Sequence, residues 1–204
     1  MKVIQMPLGP LGTNAYIIRE GKECLIVDPG GEGEKLITYL NEEALKPVAA
    51  LLTHAHFDHI GAVDKVRDHF KIPVYLHKEE KDWLMDPTKN GSSFFQMGEI
   101  TAEDPDHLLT PGPLTVGPFK MEVRHTPGHS PGSVSFIFDT FAVSGDALFQ
   151  RGIGRTDLPG GDMQTLLTSI RTELFSLGDA YVVYPGHGPA TTIGEEKSEN
   201  PFLT

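Results

Sequence analysis

The sequence predicts an α+β protein whose sheets are partly antiparallel and carry helices on their outer faces. Three observations predict it. Short apolar segments, several rich in β-branched residues and closed by Gly, Pro or Asp, recur along the chain. Helical periodicity appears between only some of them. Neighbouring segments such as SVSFIFD and FAVSGD adjoin like the arms of a hairpin.

Taken in order, strands are expected at VIQM (3–6), NAYIIRE (14–20), ECLIVD (23–28), VAALLT (48–53), PVYLH (73–77), KMEVRHT (120–126), SVSFIFD (133–139), FAVSGD (141–146) and AYVVYPG (180–186). A helix is expected over EGEKLITYLNEEAL, with Leu36, Ile37, Leu40 and Leu45 near one face, and another over GAVDKVRDHF, with Val63, Val66 and Phe70. HKEEKDWLMD reads as a short helix bearing the only tryptophan, Trp83. GDMQTLLTSIRTELFSLG is the clearest helix: Leu166, Leu167, Ile170, Leu174 and Leu177 recur at helical spacing, and Gly178 stops it. Residues 86–113 have no strong period and read either as a functional loop or as an obscured helix.

The 204 residues, 39% apolar and 22% charged, suit one globular domain spanning 1–204. The formal net charge of −11 argues against a nucleic-acid surface, which needs clustered Lys and Arg. The opening MKVIQMPLG lacks the apolar core of a signal peptide, and no run reaches the ~20 apolar residues of a spanning helix. A cytoplasmic protein without membrane partners is expected. The single cysteine, Cys24, lies in a strand pattern and reads as a small buried apolar residue rather than a reactive thiol.

One stretch does not fit a packing role. THAHFDHIGA (53–62) places His54, His56, Asp58 and His59 directly after an apolar strand. His54 and His56 alternate, so an extended chain turns both to one side. Asp58 also suits a helix N-terminus. His129 in RHTPGHSPGS, Asp146 in FAVSGD and His187 in AYVVYPGHG occupy comparable places, each following a strand and flanked by Gly or Pro. The donors total five imidazoles and two carboxylates. Without thiolate, that set suits zinc, iron or manganese rather than a structural zinc knuckle. It is too large for one tetrahedral ion and suits two ions about 3.5–4 Å apart.

T-H-x-H-x-D-H, followed by single His, Asp and His, resembles the metallo-β-lactamase superfamily. The resemblance implies a four-layer αβ/βα sandwich of two mixed sheets flanked by helices. It also implies that His54, His56 and His129 hold one ion, that Asp58, His59 and His187 hold the other, and that Asp146 bridges them. GDALFQRGIGRTDLPGGD and PGHGPATTIGEEKSENPFL are similar to the small one-domain hydroxyacylglutathione hydrolases of the glyoxalase II group. That implies thioester hydrolysis, of S-lactoylglutathione or a similar small molecule, with two divalent ions, zinc foremost and iron or manganese as alternatives. A single domain is expected, without the C-terminal helical domain with which larger relatives hold glutathione. Asp58 is expected to aim the attacking hydroxide as well as to act as a ligand.

Arg155 is expected either to contact substrate or, preferentially, to support the ligand loop through Asp157. His69, His77, His107 and His125 read as surface or locally bonded histidines. Tyr16, Asn14, Phe94, Phe95 and Trp83 read as core, turn or pocket-wall residues. A second activity, mononuclear Fe(II) persulfide dioxygenation, needs only His54, His129 and Asp146. Lactone or other ester hydrolysis is a further alternative, and a non-catalytic metal protein is the remaining one.

Overall fold

The structure, a computed structural model, describes residues 1–95 and 98–204. It consists of two mixed β-sheets flanked by helices, as the sequence predicts, and divides into two compact units. The first comprises residues 1–109 and 115–119, the second residues 110–114 and 120–204.

In the first unit, β1 (Lys2–Leu8), β2 (Thr13–Glu20), β3 (Glu23–Val27), β4 (Lys46–Leu51), β5 (Val74–His77) and β6 (His107–Leu109) form one sheet in that spatial order. β1, β2 and β3 pair antiparallel, and β3 to β6 pair parallel. Cys24 to Val27 are all fully buried, the unbroken apolar run expected of a strand covered on both faces. α1 (Gly33–Glu42) and α3 (Val63–Phe70) cover one of these faces: Leu36, Leu40, Val63 and Val66 pack with Ile17, Ile26, Ala50 and Val74. A separate single turn, α2 (Phe57–Ile60), precedes α3, so Asp58 and His59 belong to their own helix rather than to the start of the next.

Burial pushes the Cys24 thiol up to about 12, a rise that nearby Arg19 only partly offsets. Native protein at pH 8 is therefore expected to leave Ellman's reagent unreacted, whereas an ordinary thiol, with a pKa of about 8.5, reacts. One equivalent should react after unfolding in guanidinium, and fast native labelling would contradict the burial.

In the second unit the sheet order is β14 (Thr191–Thr192), β13 (Val182–Pro185), β10 (Phe141–Gly145), β9 (Val134–Ile137), β8 (Phe119–His125) and β7 (Gly112–Val116). β10 and β13 pair parallel, while β8–β9, β9–β10 and β13–β14 pair antiparallel. β8 alternates strictly, with Phe119, Met121 and Val123 buried and Lys120 and Glu122 exposed. A two-residue hairpin joins β11 (Leu148–Phe149) to β12 (Gly152–Ile153). α4 (Met163–Ser169) starts on Asp162, whose carboxylate accepts from Thr165 N at 2.7 Å. It widens into a π-helical turn over Ile170–Leu174. Leu166, Ile170, Leu174 and Leu177 pack with Ile137, Ala142, Val183 and Ile193. α5 (Ile193–Glu199) is fixed by a Thr192–Glu195 capping box.

Two sequence expectations are corrected. HKEEKDWLMD forms only a 3₁₀ turn over Lys78–Glu80 followed by further turns. Its apolar residues are too few for a buried helical stripe, and Pro87 follows at once. Within 86–113 the described residues form turns, a 3₁₀ turn at Ser92–Phe94, β6 and the start of β7. Residues 96 and 97 lie outside the described residues.

Candidate metal centre

Each unit builds a set of side chains of metal-ligating type just beyond the ends of its strands. In the first unit, β4 ends at Leu51, the chain bends at Thr53, and an extended His56 leads into α2. His54, His56 and His59 come together. The ring centroids of His54 lie 4.7 Å from His56 and 4.1 Å from His59. Asp58 Oδ2 lies 3.6 Å from His59 Nε2 and accepts a hydrogen bond from Thr13 Oγ1 at 2.6 Å.

Burying three imidazoles side by side wastes core volume and desolvates polar nitrogens, so the fold must hold them deliberately. The residue that does this, and that sequence reading missed, is Asp28. It follows β3 in a left-handed conformation (φ 49°) and is buried. Its Oδ1 accepts from Thr53 N at 2.7 Å. Its Oδ2 accepts from Thr53 Oγ1 at 2.6 Å and from His59 Nδ1 at 2.9 Å. With its own proton given to Asp28, the Thr53 hydroxyl accepts from His54 Nδ1 at 3.0 Å. One carboxylate thereby fixes the Nδ1–H tautomer of two histidines and presents Nε2 of each, the arrangement found around metal-ligating imidazoles.

In the second unit, His129 follows β8, Asp146 follows β10 and His187 follows β13. The bond from Gly186 N to Gly145 O (2.8 Å) ties the last two strand ends together. His129 Nδ1 donates to the Arg155 carbonyl at 2.7 Å, which again presents Nε2. Asp146 Oδ2 stands 3.5 Å from Nε2 of both His129 and His187. Such separations are too long for good hydrogen bonds. Each matches a pair of donors on a common cation: a tetrahedral ion with bonds of 2.0–2.2 Å sets its ligand atoms roughly 3.4 Å apart. The donor chemistry and spacing therefore fit a divalent metal. His187 is the most open of these, with its side chain 30% exposed and the Phe149 ring perpendicular to it at 6.1 Å.

Two glycines let the backbone close on the ligands. A Cβ at Gly30 would lie 1.8 Å from the Asp58 carbonyl oxygen. One at Gly154 would lie 1.8 Å from the Asp146 carbonyl oxygen and 3.2 Å from His129 Nδ1. Gly154→Ala is therefore expected to cost more than the about 1–3 kcal/mol typical of overpacking. Gly178, around which a Cβ meets nothing within 4 Å, should accept alanine with little change. Thermal unfolding of the two variants checks the contrast.

Arg155 contributes its backbone carbonyl to His129, while its guanidinium forms an exposed two-pronged pair with Asp157. That pairing holds the Asp157 carboxyl down at about 2. His69 and His107 are exposed, and His125 bonds the Pro131 carbonyl. His77 differs from expectation in being buried. Tyr16, Asn14 and Trp83 are buried, and Phe94 is exposed.

The family profile described as the Metallo-beta-lactamase superfamily matches residues 8–187. The chain is 53% identical to "Probable metallo-hydrolase YqgX" of Bacillus subtilis, over 100% of this chain and 98% of that one. It is 39% identical to "Hydroxyacylglutathione hydrolase GloC" of Haemophilus influenzae, over the same shares. Among solved structures, it matches one described as the BLEG-1 B3 metallo-beta-lactamase, with 56% identity, a TM-score of 0.97 and 100% of both chains covered. Another, described as TTHA1623 in a di-iron-bound form, matches with 40% identity and a TM-score of 0.87, covering 98% of this chain and 100% of that one.

Proposed function

The chain belongs to the metallo-beta-lactamase superfamily, and from that premise we propose that it is a binuclear metal-dependent thioester hydrolase acting on an S-(2-hydroxyacyl)glutathione. That it is a metallo-hydrolase needing divalent metal follows from the family and from its His and Asp clusters. The two-ion assignment is the proposal: His54, His56 and His129 for one ion, Asp58, His59 and His187 for the other, Asp146 between them. One observation carries it, the placing of Asp146 Oδ2 at 3.5 Å from two separate imidazoles. The substrate class is supported by the relative named for hydroxyacylglutathione hydrolysis, matched along the whole chain.

Divalent ions in such a set lower the proton affinity of water and polarise a carbonyl oxygen. The chain's own residues do the rest. Asp58, whose carboxylate accepts from the Thr13 hydroxyl, would accept a hydrogen bond from the attacking water and aim it. Asp28 and the Arg155 carbonyl keep His54, His59 and His129 in the Nδ1–H tautomer, so Nε2 stays available as a donor through turnover. A thiolate leaves without protonation, since thiols ionise near pKa 8.5. The donor set thus needs no separate general acid for a thioester, as it would for an amide.

The 56%-identical structure described as a B3 metallo-beta-lactamase favours a second reading, β-lactam ring opening. Parallel assays decide between them. With elemental analysis of the same sample, thiol release from S-lactoylglutathione should be fast at two ions per chain, and nitrocefin hydrolysis slower by orders of magnitude. The reverse ranking would replace the first reading with the second. Full metal loading without turnover of either would sink both.

A further inference from the structure

The backbone between β4 and α2 is anchored at every second amide. Thr53 N is held by the Asp28 carboxylate. Phe57 N donates to the Asn90 carbonyl at 3.0 Å. Between them, Ala55 N donates to Glu80 Oε2 at 2.6 Å. The odd-numbered residues give their amides to acceptors, and the even-numbered ones, His54 and His56, carry the imidazoles. Two of the three acceptors come from residues 78–95, the stretch that yields no strand of its own.

Glu80 is the least expected of them. It is fully buried, at the end of the Lys78–Glu80 turn, where a carboxylate is costly unless bonded. Its own carbonyl accepts from Trp83 N at 2.9 Å, and the Trp83 ring stands 6.0 Å from the His56 ring. Asn90 is likewise fully buried, its side chain spanning Ile100 O and Ser92 N. The turn after β5 therefore grips the dipeptide link between His54 and His56 from the side and packs an indole beside the second imidazole.

We propose that Glu80 is a positioning residue for the metal centre: its carboxylate sets the spacing of His54 and His56 by clamping the Ala55 amide. The inference rests on the proposed metal reading of those histidines. Trp83, the sole tryptophan of the chain, lies close enough to report it. Co²⁺ quenches indole fluorescence and gives visible absorption bands sensitive to coordination number, so titrating metal-stripped protein with Co²⁺ yields affinity and geometry without any substrate.

Glu80→Ala, which removes the acceptor, is expected to weaken Co²⁺ binding by about 10–100-fold, the usual effect of losing a group that orients a ligand. Glu80→Asp, which retracts the carboxylate by one methylene, should weaken it similarly. Glu80→Gln keeps an oxygen at the same reach and should bind within about 3-fold of wild type, with an unchanged spectrum. Unfolding of each metal-stripped variant in urea separates a general loss of stability from a loss at the site. If Glu80→Ala fails to fold, the Asp and Gln variants decide. Equal affinities for Asp, Gln and wild type, or equal weakening by Asp and Gln, would overturn the clamp. A wild type that takes up no Co²⁺ would overturn the metal reading and the clamp together. Tight Co²⁺ binding without thioester hydrolysis would strike only the substrate assignment.

Discussion

Asp146→Ala is expected to leave the protein with one metal ion or fewer per chain and to reduce turnover more than about 100-fold. The lower bound follows from comparison: even an outer group that merely orients a ligand is worth 10–100-fold, and Asp146 meets two imidazoles itself. Its carboxylate has no substitute among its immediate neighbours, since Ala147 and Gly145 carry no donor side chain. His69→Ala is the control. That ring is exposed and stacks edge-on against Phe70, so metal content and turnover should both persist. Elemental analysis of the purified variants, with rates measured on the same samples, checks both. A full complement of two ions in Asp146→Ala would end the bridging role.

Asp28→Ala should have the largest effect on folding. Three donors converge on the buried carboxylate, from Thr53 N, Thr53 Oγ1 and His59 Nδ1. A buried donor left without its acceptor costs about 1–3 kcal/mol, so a loss of at least about 3 kcal/mol is expected from the three together. The left-handed backbone adds to it, because alanine tolerates φ 49° less well than aspartate or asparagine. Asp28→Asn keeps one acceptor oxygen and the backbone preference, and should fall between alanine and wild type. Urea unfolding of metal-stripped protein isolates this term from metal binding. A midpoint for Asp28→Ala equal to that of wild type would show that the network does not stabilise the fold.

The fold class was legible because its signals are long and redundant. Strands such as Cys24–Val27 and Ala49–Leu51 are apolar enough to stand out, the Leu36–Leu40 stripe spans about one turn, and the Leu166–Leu174 stripe spans about two. Elements that escaped were short or polar. β6, β11, β12 and β14 have two or three residues each, and α5 is mostly charged, with Ile193 its one buried apolar side chain. The candidate ligands could be picked out because histidines and aspartates after apolar strands are chemically out of place. Their supports could not. Asp28 reads as an ordinary strand-ending residue, and only the following PGG hints at a special turn. Glu80 sits in HKEEKDWLMD among five other charged residues, and nothing local says that it alone of them is buried. Burial is set by tertiary packing, and a single sequence does not carry it.

The close approach of Gly30 to the Asp58 carbonyl bears on how this scaffold could be re-tasked. A saturation library that included position 30 would spend nineteen of its twenty codon classes on side chains whose first carbon already collides with main chain. Diversity is better placed at the half-exposed Leu11, which lines a small notch beside Asp58 and whose neighbouring glycine, Gly12, has open space around it.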